Sequence, residues 1–415
     1  MASTDCMYDV VIIGAGVAGA AVARELSRYR LSAAIVEKEA EVCFGATKGS
    51  HAFIHCGMPA PGSPLKSKGE QEGNRMLPQI CRELDVPFRQ IGKLLVAFNA
   101  AEIDALRDLE KKFSAHGVPG VELIFDREVI HRMEPHLSEK VVGALHTPTT
   151  GVTSPWGLVF GLVENAVANG VRLYTHAPVA SMKAVEGGRI ALCAGPRTLF
   201  ARYVINAAGP DAARVAEMVG DRSISLEFLK MQRVIMDREC GGLVGHLIRG
   251  LDQGDPVGDF IAPTVDGNIM VGSTVELVKN AEDVATTADG FNDWVFPAGR
   301  KLLPMLSLDK AIRPFSGTMP LAGDDYHIRP AENFPQLVNF VLGASGLTAA
   351  VPMAKIVVND ILPELGLTLE EKADYCPNRD DIPRFHDLDH EARAGLIAQH
   401  PDYGSVVCRC ESVTE

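Results

Sequence analysis

Tyr8-Asp-Val-Val-Ile-Ile-Gly14-Ala-Gly16-Val-Ala-Gly19 decides the fold. Residues 10–13 read as a short, fully buried parallel strand, the glycines after it as a tight turn, and residues 17–28 as a helix. Each glycine has a mechanical job. Gly14 permits the turn, Gly16 lets backbone N–H groups approach a pyrophosphate, and Gly19 lets the helix pack closely on the strand. The helix N-terminus at Val17 and Ala18, worth roughly half a positive charge, then faces the bridging phosphates. A second strand, residues 31–36, ends on Glu37, about twenty residues past the fingerprint, where a carboxylate accepts both hydroxyls of an adenosine ribose. The same carboxylate would repel a 2′-phosphate. The unit is a Rossmann-like dinucleotide-binding βαβ, and on these residues alone the dinucleotide is NAD or FAD.

The bulk composition sets the outer limits. A chain of 415 residues, 47% hydrophobic and 22% charged, is ordinary for a soluble globular protein of two or three packed units. Its net charge of −13, without a long Lys/Arg run, excludes nucleic acid as an expected partner. Residues 1–7 carry neither a basic nor an apolar leader, which leads us to expect a cytoplasmic protein. The most apolar run, residues 10–23, is too short and too glycine-rich to span a bilayer, so no transmembrane segment is expected and only peripheral membrane contact stays open. The nine cysteines read as thiols, with Cys6, Cys43, Cys81, Cys193 and Cys240 structural.

Two more strands end as the first one does. Tyr203-Val-Ile-Asn-Ala-Ala-Gly209 runs into small residues, and Asn339-Phe-Val-Leu-Gly343-Ala-Ser-Gly346-Leu-Thr348 meets glycines before a helix. The second of these aims another helix N-terminus inward. Ahead of both, soon after Glu37, Gly45-Ala-Thr-Lys-Gly-Ser-His-Ala-Phe-Ile-His55-Cys-Gly-Met is a loop of small, polar and imidazole side chains suited to close approach to a ligand. Residues 91–98 read as a strand of a second sheet, residues 100–116 and 126–135 as scaffold helices, and residues 154–170 as a helix followed by a strand at 171–174. Residues 226–237, 259–263 and 267–273 are strand-rich, with a hairpin signal at Asp266-Gly267-Asn268; residues 280–303 read as a broken helix.

With these segments quoted, the chain resembles the D-amino-acid-oxidase-type flavoproteins, in the branch of glycerol-3-phosphate dehydrogenases and oxidases and L-2-hydroxyglutarate oxidase. The resemblance implies FAD rather than NAD. It implies an α/β fold: a Rossmann-like FAD-binding domain of the glutathione-reductase type with an inserted α+β substrate domain whose antiparallel sheet roofs the flavin. The expected domains are 1–90, 150–215 and 325–366 for FAD, 91–149 and 216–324 for substrate, and a tail at 367–415. By position, FAD contacts are expected at Gly14, Gly16, Val17, Ala18, Gly19, Glu37, Lys38, Ala46, Thr47, Lys48, Ser50 and His51. Val179, Ala207, Ala208, Gly209, Gly343, Gly346, Leu347 and Thr348 complete the set, the last helix stabilising charge on the pyrimidine side of a reduced flavin.

Chemistry follows from a single dinucleotide fingerprint: electrons enter from a small organic substrate by oxidation of a CH–OH or CH–NH bond, with hydride passing to flavin N5. His55 is the candidate base and substrate contact, because an imidazole titrates in the right range; His51 is the alternative. The family clamps an anionic substrate with an arginine before proline, where this chain has Gly317-Thr-Met319-Pro320, and a family lysine position falls on Val257. Methionine cannot replace a guanidinium. Glycerol 3-phosphate is therefore doubtful on sequence, a neutral or cationic substrate gains weight, and Arg313 or Lys48 is left as a displaced anion contact. The leading expectation is a dehydrogenase for a small hydroxy compound, such as a 2-hydroxy acid or polyol phosphate, passing electrons to a non-NAD acceptor or partner subunit. An amine or amino-acid dehydrogenase and a relay subunit with an inactive substrate site are the alternatives.

The end of the chain, Val407-Cys408-Arg-Cys410-Glu-Ser-Val-Thr-Glu415, resembles the opening of a bacterioferritin-associated-ferredoxin-like domain. Cys408 and Cys410 would be half of a [2Fe–2S] site, which needs four thiolates, so a cluster is expected only if a longer chain supplies the second pair and the gene product is truncated. Cys56, beside His55, raises covalent flavin attachment, with simple burial the favoured reading.

Overall fold

The N-terminal unit folds as its pattern requires: β1 (Cys6–Ile13), α1 (Val17–Leu26) and β2 (Ala33–Val36) in parallel register, Ile13 opposite Val36. Residues 10–13 are buried on both faces. Val10 and Ile12 enter the core under the helices, while Val11 and Ile13 enter the core on the opposite side of the sheet. A strand covered on both faces has no polar side, which is why the sequence is a continuous apolar run rather than an alternation.

This computed structural model describes residues 6–251, 260–379, 382–409 and 413–415. In chain order, a 3-10 turn (Ala46–Gly49) precedes β3 (Phe53–Ile54), α2 (Pro64–Glu83), β4 (Phe88–Gln90) and β5 (Lys93–Ala97). Next come α3 (Ala100–Ala115), β6 (Glu122–Ile124), α4 (Arg127–Met133), β7 (Gly143–Thr147), β8 (Gly151–Thr153) and α5 (Pro155–Ala168). The chain returns through β9 (Arg172–Tyr174), β10 (Val179–Val185), β11 (Arg189–Ala194), β12 (Arg197–Asn206) and α6 (Ala212–Glu217). It leaves again as β13 (Glu227–Met236), β14 (Leu247–Gly250), β15 (Phe260–Pro263), β16 (Ile269–Gly272), β17 (Glu276–Val278), α7 (Phe296–Leu302) and β18 (Ala311–Leu321). Finally β19 (His327–Ala331), β20 (Phe334–Val341) and α8 (Gly346–Ile356) close the first sheet.

Two large sheets result. The first runs β10-β11-β12-β1-β2-β9, with β20 on β12 and β19 on β20; the second runs β17-β13-β16-β15-β14-β5-β7-β6, with β18 beside β13. The mixed α/β fold agrees with the expected Rossmann-like unit plus a second sheet. Three parallel strands, β1, β12 and β20, finish in step: Ile13 pairs with Asn206, and Asn206 with Asn339. Their glycine-bearing tips therefore meet at one edge. Two buried asparagines stitch that edge, Asn206 Nδ2 donating to Asn339 Oδ1 (2.9 Å) and Asn339 Nδ2 to Asp221 Oδ2 (2.8 Å).

Some segments depart from the sequence reading. The hairpin β10–β11 falls where no strand pair was expected, because its exposed alternation is masked by Gly187 and Gly188 at the turn, both at positive φ. Within the expected broken helix 280–303, only residues 288–302 are helical. No helix among the described residues is long and apolar enough to cross a membrane.

The chain divides into two compact units, Met1–Asn378 and Arg379–Glu415. Within the first, residues 370–378 are tied to α1 and α5: Arg30 N–H donates to Glu370 O (2.8 Å), and Asn165 Nδ2 donates to Cys376 O (3.0 Å). Within the second, Asp389 caps the helix His390–Gln399, and Val406–Cys408 pairs with Val413–Thr414. Cys408 is a half-buried free thiol; Cys410 and Val257 lie outside the described residues. Among the described residues no three His, Cys, Asp or Glu side chains gather as a metal site.

Candidate active site

Close packing makes the nucleotide cradle. Gly14, at φ +100°, lies against the end of β12, where a Cβ would sit 2.5 Å from Ala207 O; at Gly19 a Cβ would sit 1.9 Å from Gly14 O. No other residue fits either place. Buried Glu37 accepts N–H bonds from Ala15 (2.7 Å) and Glu39 (3.0 Å), so the acid braces the glycine turn as well as ending β2. A carboxylate has about four lone-pair sites, which leaves room for ribose hydroxyls. Lys38 pairs with Asp211 (3.0 Å), bridging the Glu37 and Gly209 turns, and Ala177 N–H donates to Glu37 O (2.8 Å), bringing the start of β10 at Val179 alongside. Thr47 Oγ1 accepts the Val17 N–H (3.2 Å) and ties the 3-10 turn, with Ala46 and Lys48, to the α1 N-terminus. The helix N-termini of α1 and α8 and three small-residue strand tips in step offer the backbone donors and the close backbone approach that FAD needs.

Over the cradle lies the imidazole loop. His55 is held by its backbone from both sides: its N–H donates to Thr348 Oγ1 (3.1 Å), and its carbonyl accepts from Asn74 Nδ2 (2.9 Å). Asn74 sits on α2, which presses against α8 so tightly that a Cβ on Gly73 would lie 1.9 Å from Thr348 O. His51 stacks on Phe53 with ring centres 4.4 Å apart and meets His55 edge-on at 5.4 Å. Its Nδ1 accepts the Phe53 N–H (3.3 Å), which places its proton on Nε2.

Both imidazoles are held neutral. Burial, then the charges of Lys93, Arg249 and Lys66, push His55 down to about 4, against the opposing pull of Glu70. Burial, then Arg233, His55 and Arg249, hold His51 well below the ordinary histidine range. Glu70 is fully buried, with Oε2 accepting the Met58 N–H (2.9 Å) and Oε1 unpartnered among the described residues. Lys93 is buried with its Nζ against Met58 Sδ (3.4 Å) and over the Phe113 ring. Neutral imidazoles can accept a proton, and Glu70 is placed to favour the resulting cation.

The expected anion contacts are not brought together. Arg313 is exposed on β18, six residues from Met319, which is about 20 Å of extended strand. Lys48 is exposed and lies over the Phe44 ring at 4.9 Å. Cys56 is buried among Leu95, Leu106 and Phe113. The sequence reading missed Arg233, Lys93, Glu70, Asn74 and the side-chain role of Thr348. For Lys93 a signal existed, a charge opening an otherwise apolar strand, where a charge is rare without a task; Arg233 shares its strand with Glu227, Lys230 and Gln232 and did not stand out.

Residues 9–359 match the FAD dependent oxidoreductase family, DAO. The chain belongs to that family. This DAO-family chain is 34% identical over 411 residues to a glycerol 3-phosphate dehydrogenase of Caloramator mitchellensis, covering 99% of itself and 85% of that relative. It is 26% identical over 381 residues to a glycerol 3-phosphate oxidase of Mycoplasma genitalium, covering 89% of itself and 97% of the oxidase. A mitochondrial L-2-hydroxyglutarate dehydrogenase of Nematostella vectensis is 28% identical over 288 residues, 65% of this chain and 62% of the relative. In three dimensions the DAO-family fold matches the FAD-bound, dithionite-reduced L-alpha-glycerophosphate oxidase of Mycoplasma pneumoniae with a TM-score of 0.84, at 24% identity over 91% of this chain and 99% of the oxidase. The protein is an FAD-dependent oxidoreductase of the branch that contains these enzymes.

Proposed function

We propose that the chain is a dehydrogenase that oxidises a small hydroxy compound, with the first sheet holding FAD and the second roofing the substrate. The single observation that carries this reading is His55, a neutral imidazole fixed by its own backbone between α8 and α2 beside a cradle suited to a flavin. The glycine turns at Gly14, Gly209 and Gly343 would hold FAD, which would supply the two-electron, hydride-accepting chemistry. His55 accepts the hydroxyl proton, the loop from Gly49 to Phe53 excludes water above it, and Glu70 stabilises the protonated imidazole. The hydroxy-compound relatives support the substrate class. That the relative at 34% identity is a dehydrogenase, and those at 26% oxidases, supports an acceptor other than oxygen.

The test is anaerobic bleaching of the flavin band with glycerol 3-phosphate, L-2-hydroxyglutarate, glycerol and a set of amino acids. Bleaching by a hydroxy compound, with turnover faster on an artificial dye than on oxygen, is expected. Bleaching by amino acids alone would overturn the reading.

A further inference from the structure

A row of cross-strand partners crosses the face of the second sheet: Phe315, Arg233, Gly272, Phe260, Arg249 and Leu95, on β18, β13, β16, β15, β14 and β5. Directly paired residues share a face. The imidazole loop lies across this row, with Phe53 against Phe260 (5.0 Å), His51 near the same ring (6.4 Å) and Gly49 touching Gly317, where a Cβ would sit 2.8 Å from the Gly317 Cα. The row is therefore the part of the sheet that faces the site.

Arg233 is the most unusual member. It is 1% exposed, and among the described residues no carboxylate lies within 4.0 Å of its guanidinium. Among the described residues Nη1 donates to Gly49 O (2.8 Å), Nη2 reaches only Met231 Sδ (3.3 Å), the Phe315 ring lies 5.9 Å away, and Nε has no partner. Burial lowers it to about 10, so it remains charged at neutral pH. A buried, uncompensated guanidinium costs several kcal/mol in isolation, and a fold retains one where a counter-anion arrives with a ligand. Position agrees. Arg233 lies opposite Phe315, four residues along β18 from Met319, the place where the sequence lacks the expected arginine.

We propose that Arg233 holds the anionic group, phosphate or carboxylate, of the substrate, a role that rests on the hydroxy-compound reading given above. It does so from β13 rather than from the Met319 position of β18. The planar fork suits either oxyanion, and the donor to Gly49 O keeps the fork beside the loop that carries His51 and His55.

The experiment uses the FAD-loaded full chain with Arg233→Met, Arg233→Gln and Arg233→Lys. Two arms separate the sources of the anion: glycerol 3-phosphate against glycerol for phosphate, and L-2-hydroxyglutarate against an uncharged diol for carboxylate. A third arm needs no turnover: inorganic phosphate and malonate are titrated against the flavin absorption spectrum and the melting temperature. Loss of roughly 30-fold or more in affinity for one anion class in the Met and Gln variants, with partial rescue by Lys and the neutral compounds unaffected, is expected. Without anion, the Met variant should melt no lower than wild type, because the unpaired charge is gone; a merely structural arginine predicts a lower melting point. Unchanged anion binding in the Met and Gln variants overturns the proposal while leaving the hydroxy-compound reading intact. If no hydroxy compound bleaches the flavin, that reading fails, and the spectral and melting arms still decide whether Arg233 binds an anion.

Discussion

Thr348 Oγ1 accepts the backbone N–H of His55 at 3.1 Å and lies 3.4 Å from the Phe53 carbonyl, so one hydroxyl on the first turn of α8 sets the height of the imidazole loop. Thr348→Val keeps the shape and removes both bonds, leaving a buried N–H unpaired at a cost of about 1–3 kcal/mol. The melting temperature should fall, and flavin reduction should slow by roughly tenfold or more with the flavin still bound, while Thr348→Ser restores both. Stopped-flow reduction together with a melting curve checks this; an unchanged reduction rate would show that the loop needs no such anchor.

His55→Asn should lower the rate of flavin reduction by about 10²–10⁴-fold without releasing FAD. Because the imidazole is held down to about 4 in the free enzyme, kcat/KM should stay level from neutral pH to about pH 5 and fall as His55 protonates near pH 4. An acid limb at 6.5 would contradict the placement of Lys93, Arg249 and Lys66 around it. An anion bound to the face cations offsets their charge, so the limb in kcat should lie at higher pH than the limb in kcat/KM.

Stability has its own pH dependence. His51 and His55 are neutral in the folded chain and titrate near 6.5 when unfolded, so below about pH 6.5 the unfolded chain binds more protons. Their contribution is complete above that value and is lost progressively as pH falls, for His55 down to about 4. Melting temperature measured from pH 7 to 4 should drop, and the double substitution His51→Phe with His55→Asn should flatten the curve. A curve equally steep in the double variant assigns the loss to other groups.

Gly19→Ala should give a colourless protein. Its Cβ would lie 1.9 Å from Gly14 O, backbone against helix, with no flexible side chain to yield, so the turn that faces the pyrophosphate must open. Gly188→Ala, on the β10–β11 hairpin with open space around its Cβ but positive φ, should cost about 1 kcal/mol and keep the flavin. The flavin-to-protein absorbance ratio separates the two; a yellow Gly19→Ala protein would remove the close-packing account of the cradle.

Local residues determined the strands and their tips. An apolar run ending in glycine and followed by a helix pattern has one economical fold, and the three tips at Gly14, Gly209 and Gly343 converge because parallel strands buried on both faces pack edge to edge in register. The acid at Glu37 was expected from its fixed offset past the glycine turn, and His55 was nominated on its imidazole chemistry within a ligand-suited loop. Only the tertiary structure decided what charges face His51 and His55. Arg233, Arg249 and Lys93 lie 140 to 156 residues or 16 residues apart along the chain, and no spacing rule relates them. They share a face through strand register, which arises from long-range pairing and not from any local pattern. The cradle was therefore written in short segments, and the substrate end was decided by the sheet that folds over it.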